Sequence, residues 1–202
     1  MRGIGHECLQ DFVVDFQNDI EQCLEVLKKG GLILYPTDTI WGIGCDATNA
    51  RAVQRVYELK KRSDEKAMIV LVAADRNILK CVAAPDPRVF DFLRQTKKPT
   101  TIVYEGAIGL ADNLTGVDGS IAIRICEDPF CKHLLKRFGK PIVSTSANFS
   151  AQPVAKLFNE ISAEIKKGVD HIVKYRQEDE TISEPSSVVR WNKDGTITVI
   201  RP

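Results

Sequence analysis

The chain has 202 residues and 44% hydrophobic content, which supports a packed core and excludes a disordered chain. Its 28 basic and 27 acidic residues leave a formal charge of +1. Overall charge therefore predicts neither nucleic-acid nor membrane binding, and any anion site must come from local clustering. No apolar run approaches the roughly 18 residues that span a bilayer, and no secretory leader pattern is present. Six cysteines without CxxC spacing fit a reduced, cytoplasmic protein.

Ile20, Cys23, Leu24 and Leu27 recur at helical spacing, and Gly30 supplies a stop. The apolar run from Gly31 to Tyr35 reads as a strand discharging into Pro36-Thr37-Asp38-Thr39. Thr37 and Thr39 alternate, so in an extended loop both point away from Asp38. Gly42 to Ala47 formally fits the dinucleotide pattern G-x-G-x-x-A, but the preceding strand ends too early and cations stand where an acidic ribose partner belongs. These glycines are expected to let the backbone pass close to a ligand or another strand.

Asn49 can cap a helix running to about Lys61, with Val53, Val56 and Tyr57 inward. Lys60 and Arg62 then sit at its end, where the helix dipole also favours cations. Asp86-Pro87 and Asp128-Pro129 each read as an N-cap followed by an N1 proline, opening helices near 87–96 and 129–138. Strands are expected at 67–72, 100–105, 120–125, 141–145, 171–175, 186–191 and 196–201, the last two joined as a hairpin through Asn192-Lys193-Asp194-Gly195. The glycine-punctuated stretch 106–119 is expected to lie as a loop over the site. Alternating strands and helices ending in a hairpin imply a mixed α/β sheet in one domain, 1–202.

Chemistry concentrates at strand ends. Pro141-Ile142-Val143 leads into Ser144, Thr145, Ser146 and Asn148, more hydroxyls and amides than a turn needs. Open α/β sheets usually bind ligands at such strand ends. With Lys60, Lys61 and Arg62 they suit a small anionic ligand, a phosphate ester above all. Arg124 follows an alternating Ile-Ala-Ile run, where an arginine commonly pairs with a carboxylate of the protein or of a ligand. Neither a Walker loop nor a G-x-S-x-G elbow is present, and only three histidines are available as bases. Cys126, Cys131 and His133 are a poor zinc set, because a helix starting at Asp128 separates Cys126 from the others.

On these residues the chain resembles the YrdC-domain family of threonylcarbamoyl-AMP synthases. The family's P-T-(D/E)-T loop, K-x-R motif (Lys60, Arg62) and S-x-N motif (Ser146, Asn148) fall in order. The segments Ile121–Arg124, Pro185–Val189 and Ile200–Pro202 also match, so the likeness runs from about Gly30 to the C-terminus. The resemblance implies a twisted open mixed β-sheet flanked by helices (YrdC/RibB-like) with a concave basic ligand face. It implies the reaction of ATP, L-threonine and bicarbonate or CO2 to threonylcarbamoyl-AMP and pyrophosphate, the first step of tRNA threonylcarbamoyl-adenosine formation.

By the same resemblance Lys60 and Arg62 are catalytic. Lys60, Arg62, Lys66, Ser120, Asn148 and Arg201 bind ATP; Thr39, Arg124, Ser146 and Ser186 bind threonine. ATP is a substrate, Mg2+ arrives through its phosphates, and no protein metal site is expected. Expected partners are tRNA or double-stranded RNA and downstream transfer proteins, with no membrane. The chain departs from the family at Lys66-Ala67-Met68, where relatives carry Asn-Pro-Leu. It departs also at Leu71, at Lys98-Pro99-Thr100, at Ile125-Cys126 and at Ala151. A non-catalytic RNA-binding module and an ATP or amino-acid sensor are the competing classes.

Overall fold

A computed structural model describes residues 16–62 and 68–202. Expectations that fall on His6, Cys8, Lys66 and Ala67 lie outside the described residues.

Helix α1 (Gln17–Lys28) buries Ile20, Cys23, Leu24 and Leu27, and the chain leaves it through Gly30 at φ +76°, a conformation that favours glycine. Strand β1 (Ile33–Tyr35) follows, then β2 (Gly42–Gly44). Helix α2 (Ala50–Lys60) is capped by Asn49, whose side chain accepts from the Arg51 and Ala52 amides. After β3 (Ile69–Val72), α3 (Arg88–Gln95), β4 (Thr100–Tyr104) and β5 (Ile121–Ile125) comes α4 (Pro129–Phe138). Asp128 caps α4 by accepting from Cys131 N at 3.0 Å, with proline at N1 and left-handed Gly139 closing it. The chain finishes with β6 (Ile142–Ser146), α5 (Ala163–Gly168), β7 (His171–Ile172), β8 (Ser187–Trp191) and β9 (Ile197–Arg201).

Among the described residues the strands form one mixed sheet in the order β7-β1-β2-β6-β3-β5-β4-β8-β9. The pairs β1–β7, β3–β5 and β4–β8 are parallel and the rest antiparallel, as the alternating pattern with its terminal hairpin predicts. The apolar core runs continuously from α1 through the sheet to α4. β2 was expected only as a glycine-rich passage and is a full sheet member between β1 and β6. Its glycines allow the close packing: a Cβ on Gly44 would lie 2.6 Å from Tyr35 Cε1 and 2.8 Å from the Val143 oxygen. Helix α3 starts one residue late, because Asp86 Oδ1 accepts from Arg88 N at 2.9 Å and Pro87 takes the capping position. Helix α5, capped by Ser162, was not anticipated; six residues give too short a periodic signal.

Candidate active site

A cavity of about 420 Å³ is bordered by residues of β2, β3, β4, β5, β6, β8 and β9. That volume falls in the range of small-molecule sites, roughly 300–1,000 Å³.

One wall is the loop after β1. Thr37 Oγ1 lies 2.9 Å from Thr39 Oγ1, donates to the Ile40 oxygen at 2.8 Å and accepts from Thr39 N at 3.1 Å. Its single proton is committed to Ile40, so the Thr39 hydroxyl donates to Thr37 and keeps its lone pairs for the cavity. Both threonines line the cavity while Asp38 turns away, as their alternation predicts.

Asp38 meets Arg124 from β5. The carboxylate accepts from Arg124 Nη1, from Glu127 N at 3.0 Å and from Cys126 Sγ at 3.3 Å. Arg124 is 4% exposed and Asp38 13%, and removing one partner from such a buried pair costs about 3–5 kcal/mol. Arg124 Nε is buried with no hydrogen-bond partner. A guanidinium with a committed Nη1 and an idle Nε beside a cavity is prepared for an anionic acceptor.

The end of β6 supplies Ser144, Thr145 and Ser146 to the same cavity. Arg62 enters from just beyond α2, Ser120 from just before β5, Ser186 from just before β8 and Arg201 from the end of β9. Ser186 Oγ lies 2.8 Å from Thr101 Oγ1, and its main-chain oxygen accepts from Arg201 Nη2 at 2.7 Å. Thus Thr39, Arg62, Ser120, Arg124, Ser146, Ser186 and Arg201 come together.

Two predicted residues do not reach the cavity with their side chains. Lys60 is 2% exposed. Its ammonium donates to the main-chain oxygens of Ser146 and, at 2.5 Å, Asn148. Asn148 Nδ2 donates to the oxygens of Phe149 at 3.0 Å and Gln152 at 2.7 Å, and its side chain faces the adjoining hollow beside Gln152 and Lys156. Stretch 106–119 does not cover the site either, since none of its residues lines the cavity. It is tied instead to the α2 entrance, through Ala111 N to the Ala47 oxygen at 2.9 Å and Asn113 Nδ2 to the Ala50 oxygen at 3.0 Å.

Trp41 and Arg190 line the cavity without having been singled out from the sequence. Arg190 had a legible signal, because it alternates with Ser186 and Val188 along one strand. Trp41 packs against Phe158 with ring centroids 4.8 Å apart, a tertiary contact without a local signature.

Among the described residues the cavity wall carries Arg62, Arg124, Arg190 and Arg201 and no aspartate or glutamate. Burial holds Arg62 below its ordinary pKa; desolvation and then the Arg124 charge do the same to Arg201. Burial, then the Arg62 charge, brings Lys60 down to about 7. Burial is the first cause at all three, and a neighbouring cation adds to it at Lys60 and Arg201, so an anionic ligand is favoured. Arg190 Nη1 does reach Asp118 Oδ2 at 3.2 Å outside the wall, with side chains 33% and 50% exposed. Exposed pairs of this kind are worth about 0–1 kcal/mol.

Among the described residues no group of three or more His, Cys, Asp or Glu is placed to hold a metal ion. No helix among the described residues is long and apolar enough to cross a membrane.

The Sua5_yciO_yrdC family model, described as telomere recombination, matches residues 25–202. A threonylcarbamoyl-AMP synthase of Stenotrophomonas maltophilia is 34% identical over 158 residues, covering 76% of this chain and 84% of the relative. One from an Enterobacter species is 36% identical over 159 residues, covering 76% and 83%. Among solved structures, Pyrococcus abyssi Sua5 complexed with L-threonine (P. abyssi Sua5) superposes with a TM-score of 0.81 at 19% identity, over 92% of this chain and 54% of that one. This chain therefore spans about half the length of that Sua5. E. coli YciO gives a TM-score of 0.79 at 24% identity, over 92% and 89%.

Proposed function

The chain belongs to the Sua5/YciO/YrdC family, and from that membership we propose that it is an L-threonylcarbamoyladenylate synthase. It uses ATP, L-threonine and bicarbonate or CO2 to make threonylcarbamoyl-AMP and pyrophosphate. The observation that carries this reading is the convergence of Thr39, Arg62, Arg124, Ser146 and Arg201, distant in sequence, on one arginine-lined cavity.

Threonine is held through its carboxylate by Arg124, whose Nε is idle, and through a donor group by the acceptor lone pairs of Thr39. Ser146 and Ser186 complete its orientation. The unprotonated threonine amine adds to the carbon of CO2, one C=O bond opens to the carboxylate, and the nitrogen releases a proton to solvent, leaving a carbamate. A carbamate oxygen attacks the α-phosphorus of ATP in line, and the bond to the bridging oxygen breaks as pyrophosphate leaves. The carbamate is already anionic, so neither a histidine base nor a cysteine nucleophile is required. What the protein supplies is alignment and neutralisation of phosphate charge, from Arg62 and Arg201 with Ser120 beside them. Mg2+ enters with the nucleotide and offsets charge on its phosphates.

Lys60 has a different task in this reading from a direct phosphate contact: it fixes the loop that presents Ser146. Asn148 meets the nucleotide only if its side chain leaves Phe149 and Gln152. Further parts of the proposal are one YrdC-like domain over 1–202, a cytoplasmic location, contact with tRNA, and delivery of the product to transfer proteins that modify tRNA.

The test is pyrophosphate release from ATP with threonine and bicarbonate each omitted in turn. Release is expected only with all three present. Release that ignores threonine would point to a plain nucleotide hydrolase and end the proposal.

A further inference from the structure

Four arginines border the cavity, and their partners set them apart. The Arg124 pair with Asp38 is buried on both sides, so Arg124 is fixed in place. Arg201 is held to β8 by two donations to the Ser186 oxygen. Arg190 sits on β8, opposite Val103 of β4 in the sheet register, and reaches Asp118 in the turn before β5 through one exposed bond. Asp118 has other ties, since its Oδ1 accepts from Ser120 N at 3.1 Å. Bonds from Ser120 come ahead of the Arg190 charge in holding the Asp118 carboxyl below its ordinary range. The turn therefore keeps its shape when Arg190 lets go, and Arg190 exchanges partners at small cost.

We infer that Arg190 is a phosphate-binding residue of this enzyme, donating to Asp118 when the cavity is empty and to the anionic phosphates of the nucleotide when it is filled. The inference rests on the nucleotide-binding part of the proposed function. Arg190 shares the wall with Ser120 and Arg201, and its planar fork accepts a phosphate in place of a carboxylate without a change of chemistry. Asp118 is then a competitor that holds Arg190 at the rim until an anion displaces it. Its carboxylate also keeps the guanidinium from adding to the repulsion among Arg62, Arg124 and Arg201 in the empty state.

The test is direct calorimetry of ATP, inorganic pyrophosphate and adenosine binding to the full chain, without threonine, in wild type, Arg190→Gln, Asp118→Asn and the double variant. Such binding is read whether or not the synthase reaction occurs, so its outcome separates from that of the turnover test. Arg190→Gln should weaken ATP about tenfold, as loss of one charge-assisted contact does, and leave adenosine unchanged. Asp118→Asn should tighten ATP by a few fold, because the competitor is weaker while the bond from Ser120 remains. The double variant should match Arg190→Gln. A parallel loss for pyrophosphate places Arg190 at the β- and γ-phosphates; a loss for ATP alone places it at the α-phosphate. A merely structural ion pair would make both single variants weaken ATP alike, together with a common fall in Tm, and that result overturns the inference. Equal losses for adenosine and ATP, or no loss in Arg190→Gln, overturn it as well.

Discussion

The ammonium of Lys60 lies 2.5 Å from the main-chain oxygen of Asn148, across 88 residues of sequence. The basic motif and the hydroxyl-amide motif thus form one mechanical unit: α2 ends by gripping the loop that leaves β6. The amide of Ser150 closes the unit by donating to the Lys60 oxygen at 2.9 Å.

Lys60 should make stability depend on pH in a definite direction. Its pKa falls from 10.5 to about 7 on folding, through burial first and the Arg62 charge second. Between those values the unfolded chain holds a proton that the folded chain has released, so stability rises with pH across the window and the contribution is lost as pH falls toward 7. Lys60→Met removes the titration and leaves two loop carbonyls without their donor, at about 1–3 kcal/mol each. The stability gap between wild type and variant, read from urea melts, should therefore widen from pH 7 to pH 10. A gap that stays constant would mean that Lys60 is not held away from its charged form.

Asp38→Asn should destabilise the protein by about 3–5 kcal/mol, because Arg124 is left charged and buried. Adding Arg124→Gln should restore part of that loss, since no uncompensated charge then remains. Denaturant midpoints of the two single variants and the double variant measure this coupling; strictly additive losses would contradict it.

Thr39→Val keeps the shape of the side chain and deletes its lone pairs. The KM for threonine should rise about tenfold, the value of one hydrogen bond, with a Tm close to wild type. An unchanged KM would show that the Thr39 oxygen accepts nothing from the substrate.

Gly44→Ala should cost about 1–3 kcal/mol by overpacking. The new Cβ would sit 2.8 Å from the Val143 oxygen, a backbone atom that cannot turn aside. A thermal melt within a degree of wild type would mean that β2 and β6 separate more easily than their packing indicates.

The long elements were legible because their signals are local. Asn49 and Asp128 announce helices through side-chain caps, and Asn192–Gly195 announces the final hairpin. β2 was obscured because glycines carry no periodicity; what makes it a strand is fit against Tyr35 and Val143. Sequence chemistry also marked Lys60 as a cation without revealing its direction, since a lysine at the end of a helix can reach outward to a ligand or inward to carbonyls. Stretch 106–119 read as a lid from its glycines, but its hydrogen bonds to Ala47 and Ala50 are set by tertiary placement. Arg190 needed the sheet register to bring it beside Asp118.

The strand order carries a consequence for how the molecule is made. Thr39 leaves the ribosome early, yet the hollow it faces is bounded by β8 and β9, which follow far later in the sequence. A nascent chain cannot fold that wall until β8 has slotted alongside β4 and β9 has paired with β8. Distant pairings of this kind form slowly. The pocket is therefore incomplete until both strands have joined the sheet, and capacity to bind nucleotide arrives with that step.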